Sequence, residues 1–282
     1  MYNFQFGSRT ARGGFANERN ICEKFNNWKR DREAQLWLKI MGYDIRKIDE
    51  VKAIIIPTKL SRAKLRSFGF TEEEYDELMK FKKADLQVQI RVVIFICKLL
   101  KIENLSLKKA NSDADYNQVD KRSVDSYQKM WGFNDRIALA LKLFTGEVRP
   151  SSYPKMLRVS QSKLRDSRRV FLDELKEDLV EEIISFFREN KILIVSDILQ
   201  GRGGFAADWM LVTRYNRADN TTTWTLRDIN TVKNFFGRGD VKLSPKGSLY
   251  IGRITMQRKG GTPDPTKLQF KIKPCDLFNY NG

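Results

Sequence analysis

Asp85, Ser106 and Lys108 are the residues of this chain whose types and spacing best suit a reaction. Asp85 opens a run in which Leu86, Val88, Ile90 and Val92 alternate with Gln87, Gln89 and Arg91, the period of a strand. Ser106-Leu107-Lys108 falls in a second strand-like run over residues 104–110. Side chains two apart on a strand share a face, so Ser106 and Lys108 point the same way. If the two strands pair as a hairpin, a carboxylate, a hydroxyl oxygen and an ammonium converge. Such a set suits phosphodiester hydrolysis: the carboxylate holds Mg2+, which activates a water and offsets phosphate charge, and the lysine orients the attacking oxygen. The plainer alternative is a strand-start aspartate and a solvated lysine, and spacing by itself leaves both open. Asp44 with Glu50-Val51-Lys52 matches Asp…Glu-x-Lys more literally. Those residues fall in a helix-to-strand connection too short for two paired strands, so Asp85 is preferred.

Two further segments are dense in side chains that read base edges. Asn117 and Gln118, beside Tyr116, offer paired donors and acceptors. In the run from Gly252 to Gly261, Arg253, Gln257 and Arg258 add cations and amides, and arginine matches guanine O6 and N7. Lys259 reaches a guanine acceptor or a phosphate, and Gly260 and Gly261 let the backbone approach closely. The alternative for this run is a polar strand end with solvated charges. Tyr116 is a wedge between base steps or an ordinary helix-start staple. Arg202, between Gly201 and Gly203, reads as a flexible phosphate clamp, and the basic residues from Lys155 to Arg169 as a tract along the backbone.

The whole composition agrees with a polyanionic partner. In 282 residues, 52 Lys and Arg face 35 Asp and Glu, a formal net charge of +17. Such a charge draws nucleic acid, and less specifically ribosomes or anionic lipid. With 18 Phe and 5 Trp, a real core is available. No histidine is present, which excludes Ser-His-Asp and Cys-His catalysis and histidine-ligated zinc. Cys22, Cys97 and Cys275 are too scattered for a disulfide framework and read as small apolar residues in a reduced, cytoplasmic setting. The start shows no leader pattern, and the longest apolar run, Val92 to Cys97, is far too short to span a bilayer.

These groups need a scaffold. Apolar spacing predicts helices over 17–29, 32–41, 117–131, 135–144, 171–189 and 229–236. Strands are expected over 51–57, 85–97, 104–110, 191–195, 209–215, 221–226, 248–257 and 268–272. Residues 59–83 look like a basic helical insertion, and 150–169 like a linker. The class is α/β, with a mixed central β-sheet flanked by helices; residues 1–150 form one expected domain and 151–282 a closely joined, strand-rich second.

The order of several segments resembles the HinP-type, GCGC-cutting type II restriction endonucleases, relatives of MspI within the PD-(D/E)xK nuclease superfamily. The resemblance rests on residues 14–19, 33–38, 116–121, 144–147, 196–199, 201–209, 243–248 and 252–261. It implies a Mg2+-dependent enzyme with a nuclease core, acting on double-stranded DNA at a short GC-rich palindrome, GCGC first. It also implies that Asp85 holds metal, Lys108 is the catalytic lysine, and the C-terminal region carries recognition. The family's residue two before the lysine is Glu, Asp or Gln, and Ser106 departs from that pattern, leaving the backbone carbonyl of Leu107 as a further metal ligand. Glu18 resembles a helical glutamate that supports such sites, with an exposed helix glutamate as the alternative. A monomeric catalytic unit and a cognate DNA methyltransferase are implied as well. Other classes stay open: a repair or structure-directed nuclease, and a non-cleaving DNA-binding protein.

Overall fold

The computed structural model describes residues 2–94, 97–112, 115–216, 218–258 and 266–280, with side chains from residue 13 onward. Its helices are α1 (Tyr2–Asn26), α2 (Arg32–Ile40), α3 (Arg62–Leu65), α4 (Tyr75–Phe81), α5 (Val124–Trp131), α6 (Asp135–Thr145), α7 (Glu177–Glu189), α8 (Lys191–Leu199) and α9 (Ile229–Gly237). The strands are β1 (Ile48–Ile55), β2 (Leu86–Ile94), β3 (Cys97–Ala110), β4 (Asn117–Arg122), β5 (Trp209–Asn216), β6 (Thr221–Asp228), β7 (Val241–Leu243), β8 (Leu249–Ile251), β9 (Ile254–Arg258) and β10 (Leu268–Ile272). Among the described residues they form two five-stranded sheets, ordered β1-β2-β3-β5-β6 and β4-β10-β9-β8-β7. This is the mixed α/β architecture the sequence predicts. No helix among the described residues is long and apolar enough to cross a membrane.

Two compact units emerge: residues 1–115, 199–232 and 273–282, and residues 116–198 with 233–272. The expected linker, 150–169, lies inside the second.

In the first unit, β3 pairs with β5 in parallel, and the other neighbours are antiparallel. The core joins Ile21, Phe25, Trp37 and Leu38 of α1 and α2 to Leu86, Val88, Ile90, Leu105, Leu107 and Leu211 of the sheet. Burying these side chains stabilises both helices, and α2, at 9 residues, is too short to hold by itself. Asp31 caps α2 by accepting a hydrogen bond from Ala34 N at 2.9 Å. The insertion over 59–83 folds around Leu60, Leu65, Phe68 and Leu78, which pack on Phe205. Its end is tied down where Lys83 N and Ala84 N both donate to Phe205 O, so the position of Asp85 is set.

The second unit is built on a stack of aromatic rings. Tyr127 lies 4.6 Å from Trp131, and Phe270 packs edge-on against both. Two expectations are corrected here. Residues 117–122 are a strand, with the helix starting only at Val124 behind an Ser123 cap. Residues 191–199 are a helix instead of a strand. In addition, Cys97 is exposed; Cys22 is half-buried and Cys275 buried.

Candidate active site

The site is made where β2 begins and β3 passes it. Leu86 pairs with Leu105, and Asp85 N donates to Leu105 O at 2.8 Å, so Asp85 is held at the head of β2, level with Ser106. The hairpin expected from the sequence therefore forms, and the three groups converge. Asp85 Oδ2 accepts from Leu107 N at 2.7 Å. Lys108 Nζ donates to Ser106 Oγ at 2.9 Å and to Leu107 O at 3.1 Å, and lies 3.5 Å from Asp85 Oδ2. Ser106 Oγ is itself 3.5 Å from the same carboxylate oxygen. The ammonium thus touches three oxygens of the site. The side chains of Lys108 and Asp85 are 14% and 29% exposed, so solvent and a ligand can reach an otherwise sheltered cluster.

Glu18 joins from the middle of α1. Burial pushes its carboxyl up to about 6, the nearby charge of Asp85 adds to this, and Lys108 and Lys82 oppose it. Lys82 is the residue that the sequence did not single out. Burial lowers its pKa, with Asp85 and Glu18 pulling it back up, and its Nζ donates to Ala84 O at 3.1 Å. Two carboxylates and two ammoniums therefore share one electrostatic neighbourhood. The only signal for Lys82 in the sequence was its place three residues before Asp85, inside a segment crowded with lysines.

The donor set fits a hard divalent cation. Asp85, Glu18, Ser106 Oγ and the Leu107 carbonyl are all oxygen donors, with no thiolate or imidazole among them. No cluster of three or more acidic, Cys or His side chains occurs among the described residues. Such a sparse set suits an ion that keeps several waters and binds through one or two carboxylates, as Mg2+ does.

The literal match, Asp44 with Glu50 and Lys52, is a surface feature. Asp44 accepts from Arg46 N at 3.1 Å in its own turn, and Glu50 pairs with Arg91 at 2.7 Å.

The expected base readers divide. Asn117 pairs with Ile272 and Gln118 with Lys271, so neighbouring residues of β4 face opposite ways. Tyr116 is exposed. Gln257 is half-buried on β9, opposite Gln269. Arg258 is committed within the protein: its guanidinium donates to Arg169 O and Val170 O at 3.2 and 3.1 Å and lies 3.9 Å over the Phe171 ring. Burial lowers its pKa to about 10. These contacts engage the guanidinium that the sequence offers to guanine. Arg202 stacks 4.4 Å over Phe81, between two glycines with φ near +75° and +70°. Arg253 lies 4.1 Å over Phe235. Lys259, Gly260 and Gly261 lie outside the described residues.

Comparison with known proteins follows the same line. The profile of the R.HinP1I restriction endonuclease family matches residues 76–278. Comparison with curated protein sequences finds no match. Among solved structures, the fold is similar to that of the restriction endonuclease MspI, crystallised with its cognate DNA, at a TM-score of 0.59 and 11% sequence identity. That similarity covers 95% of this chain and 92% of the other.

Proposed function

Because the chain belongs to the R.HinP1I restriction endonuclease family, and is in consequence a type II site-specific endonuclease, we propose that it cuts double-stranded DNA at the cluster around Asp85 and Lys108. The observation that carries this is the contact of one ammonium with Asp85, Ser106 and the Leu107 carbonyl. Asp85, the Leu107 carbonyl, Glu18 and, through water, Ser106 would hold a divalent ion, Mg2+ first. Bound there, Mg2+ supplies Lewis acidity, which favours an ionised water and offsets charge on the phosphate.

The protein's own groups do the rest. Lys108 orients the attacking oxygen and stabilises its negative charge, and the Ser106 hydroxyl and Leu107 carbonyl fix the direction in which that ammonium points. Leu107 N holds one Asp85 oxygen and leaves its partner oxygen for the ion. Lys82 lowers the pKa of Glu18 while presenting a second positive charge to the phosphate. The division of labour places cleavage in the first unit and recognition in the second. A short GC-rich palindrome, GCGC first, is the proposed site, read by a monomeric catalytic unit in the cytoplasm and guarded in the host by a cognate DNA methyltransferase.

Digestion of a sequenced plasmid with Mg2+ tests this. Discrete bands with ends at one repeated sequence are expected, and chelation with EDTA should abolish them. Asp85→Ala should stop cleavage and leave duplex binding within a few-fold of wild type. Cleavage by that variant at the wild-type rate would remove Asp85 from the reaction.

A further inference from the structure

The second sheet has two unlike faces. Leu249, Ile251, Ile254, Met256, Leu268, Phe270 and Ile272 are buried on one. On the other, the register lines up one residue from every strand: Lys242 opposite Tyr250, Tyr250 opposite Thr255, Thr255 opposite Lys271, and Lys271 opposite Gln118. A shorter row runs beside it, with Gln257 opposite Gln269 and Gln269 opposite Lys121. Directly paired residues share a face, so all eight side chains lie on the same side. Not one is aliphatic or acidic. A solvated sheet face usually mixes charges of both signs; here three lysines stand among amides and hydroxyls.

Positions within the rows are ordered. The amides Gln257 and Gln269 occupy the central strands β9 and β10, with Lys242 on the edge strand β7 and Lys121 on the edge strand β4. Four strand spacings separate those edges, about 19 Å, enough to bracket a major groove about 12 Å wide. The central groups keep hydrogen-bonding capacity. The Gln257 side chain and the Thr255 hydroxyl form no hydrogen bond among the described residues, and the Gln269 side chain donates once, to Arg258 O at 3.4 Å. Thr255 and Gln269 are buried, at 4% and 7% exposure, Gln257 and Lys271 are half-buried, and Lys121 and Lys242 are exposed; the fully buried side-chain N and O atoms without a partner among the described residues are Trp37 Nε1 and Arg227 Nε, both elsewhere. Lys271 is half-buried, with no acidic partner among the described residues to compensate it, and burial alone lowers its pKa. A lysine kept in that position is stabilised by an acceptor-rich or anionic partner.

We propose that this polar face is laid against the DNA duplex, with Gln257, Gln269 and Lys271 reading base edges and Lys121 and Lys242 holding phosphates to either side. The proposal rests on the endonuclease reading above and deepens it: the reading surface is a sheet face, and Gln269 and Lys271 belong to it although Arg258 does not. Cations outside and amides inside match the separation of phosphate contacts, which position the protein, from base contacts, which specify sequence.

The test is duplex binding by fluorescence anisotropy, with metal omitted so that nothing is cut. The probes are a duplex carrying the sequence mapped at the plasmid fragment ends and a scrambled duplex of equal length. Gln257→Ala, Gln269→Ala and Lys271→Met should each weaken the site duplex roughly tenfold or more and leave the scrambled duplex within about twofold. Lys121→Ala and Lys242→Ala should weaken both duplexes alike and lower the salt slope by about one each. Circular dichroism melts confirm that each variant is folded. A folded triple variant (Gln257→Ala, Gln269→Ala, Lys271→Met) that binds and cuts like wild type would overturn the face and leave the endonuclease reading intact. Equal losses on both duplexes would overturn base reading there. Wild-type protein that gives no discrete fragments, with a triple variant that still loses affinity for any duplex, would sink the endonuclease reading and keep the face as the surface that grips DNA.

Discussion

Glu18→Gln separates what the fold wants at the active site from what the reaction wants. The Glu18 carboxyl has an ordinary value of 4.5, raised to about 6 mainly by burial, then by Asp85. A folded-state pKa above the unfolded one means that the native protein binds the proton more tightly. Below pH 4.5 both states are protonated, and Glu18 imposes no penalty. Between there and about 6 the penalty grows, and above 6 it is complete, so this group makes the fold less stable as pH rises. The shift corresponds to roughly 2 kcal/mol at 1.36 kcal/mol per unit. Half-burial leaves solvent to screen part of it, and about 1 kcal/mol is the realistic size. Glutamine has the same shape and no charge to desolvate. Urea unfolding in EDTA should therefore find Glu18→Gln more stable than wild type by about 1 kcal/mol at pH 8, with the gain vanishing near pH 4.5. Cleavage with Mg2+ should fall in the same variant, because one of two carboxylates at the site has gone. A variant equal to wild type in stability at both pH values would refute the burial argument. A more stable variant that cuts at full rate would show that Glu18 is only a misplaced charge.

Lys82→Met keeps the bulk of the side chain and removes the second ammonium; cleavage should drop roughly a hundredfold with duplex binding nearly kept, and an unchanged single-turnover rate would exclude Lys82. The same variant should raise the Glu18 pKa further, since Lys82 holds it down, a change readable as a shift of the stability–pH curve to higher pH. Arg258→Met should cost about 1–3 kcal/mol of stability by leaving two carbonyl acceptors without their donor, while Asp166 keeps Arg169 at 2.9 Å; the loss is read in urea unfolding, with cleavage staying at the same sequence, and lost sequence preference with unchanged stability would make Arg258 a base reader.

How far the sequence could be read depended on whether burial or partnership placed each residue. The convergence of Asp85 and Lys108 was legible because β2 alternates cleanly and β3 places every second residue on one face. β4 was not, because Asn117–Arg122 carries no apolar alternation. Its core-facing residue is Asp120, satisfied by the Tyr127 hydroxyl at 2.7 Å and by Arg122 at 3.0 Å, and no hydrophobic pattern announces a buried aspartate. The strand expected over 191–195 failed for the opposite reason. The short, unbroken run Ile192-Leu193-Ile194-Val195 suits a buried strand and a buried helix equally. The internal contacts of Arg258 were not legible, because side-chain type says nothing of the Phe171 ring and the carbonyls waiting for it some ninety residues earlier in the chain.

Ser106 shows how a site can lose an anion and keep its geometry. A glutamate there would place a third carboxylate beside Asp85 and Glu18, and like charges at such range disfavour joint ionisation. Serine removes that repulsion but also withdraws an anchor for the lysine. The structure makes up the loss with a neutral network: the Lys108 ammonium is shared among the Ser106 hydroxyl, the Leu107 carbonyl and Asp85, while Leu107 N fixes the carboxylate from the other side. By formal charge, Asp85 and Glu18 are balanced by Lys108 and Lys82. A neutral cluster draws a divalent cation less strongly than a triple carboxylate does, and it repels a phosphodiester less. If the cluster holds the divalent ion proposed above, then in a chain with a net charge of +17 that balance favours bringing metal and phosphate in together over storing the metal beforehand.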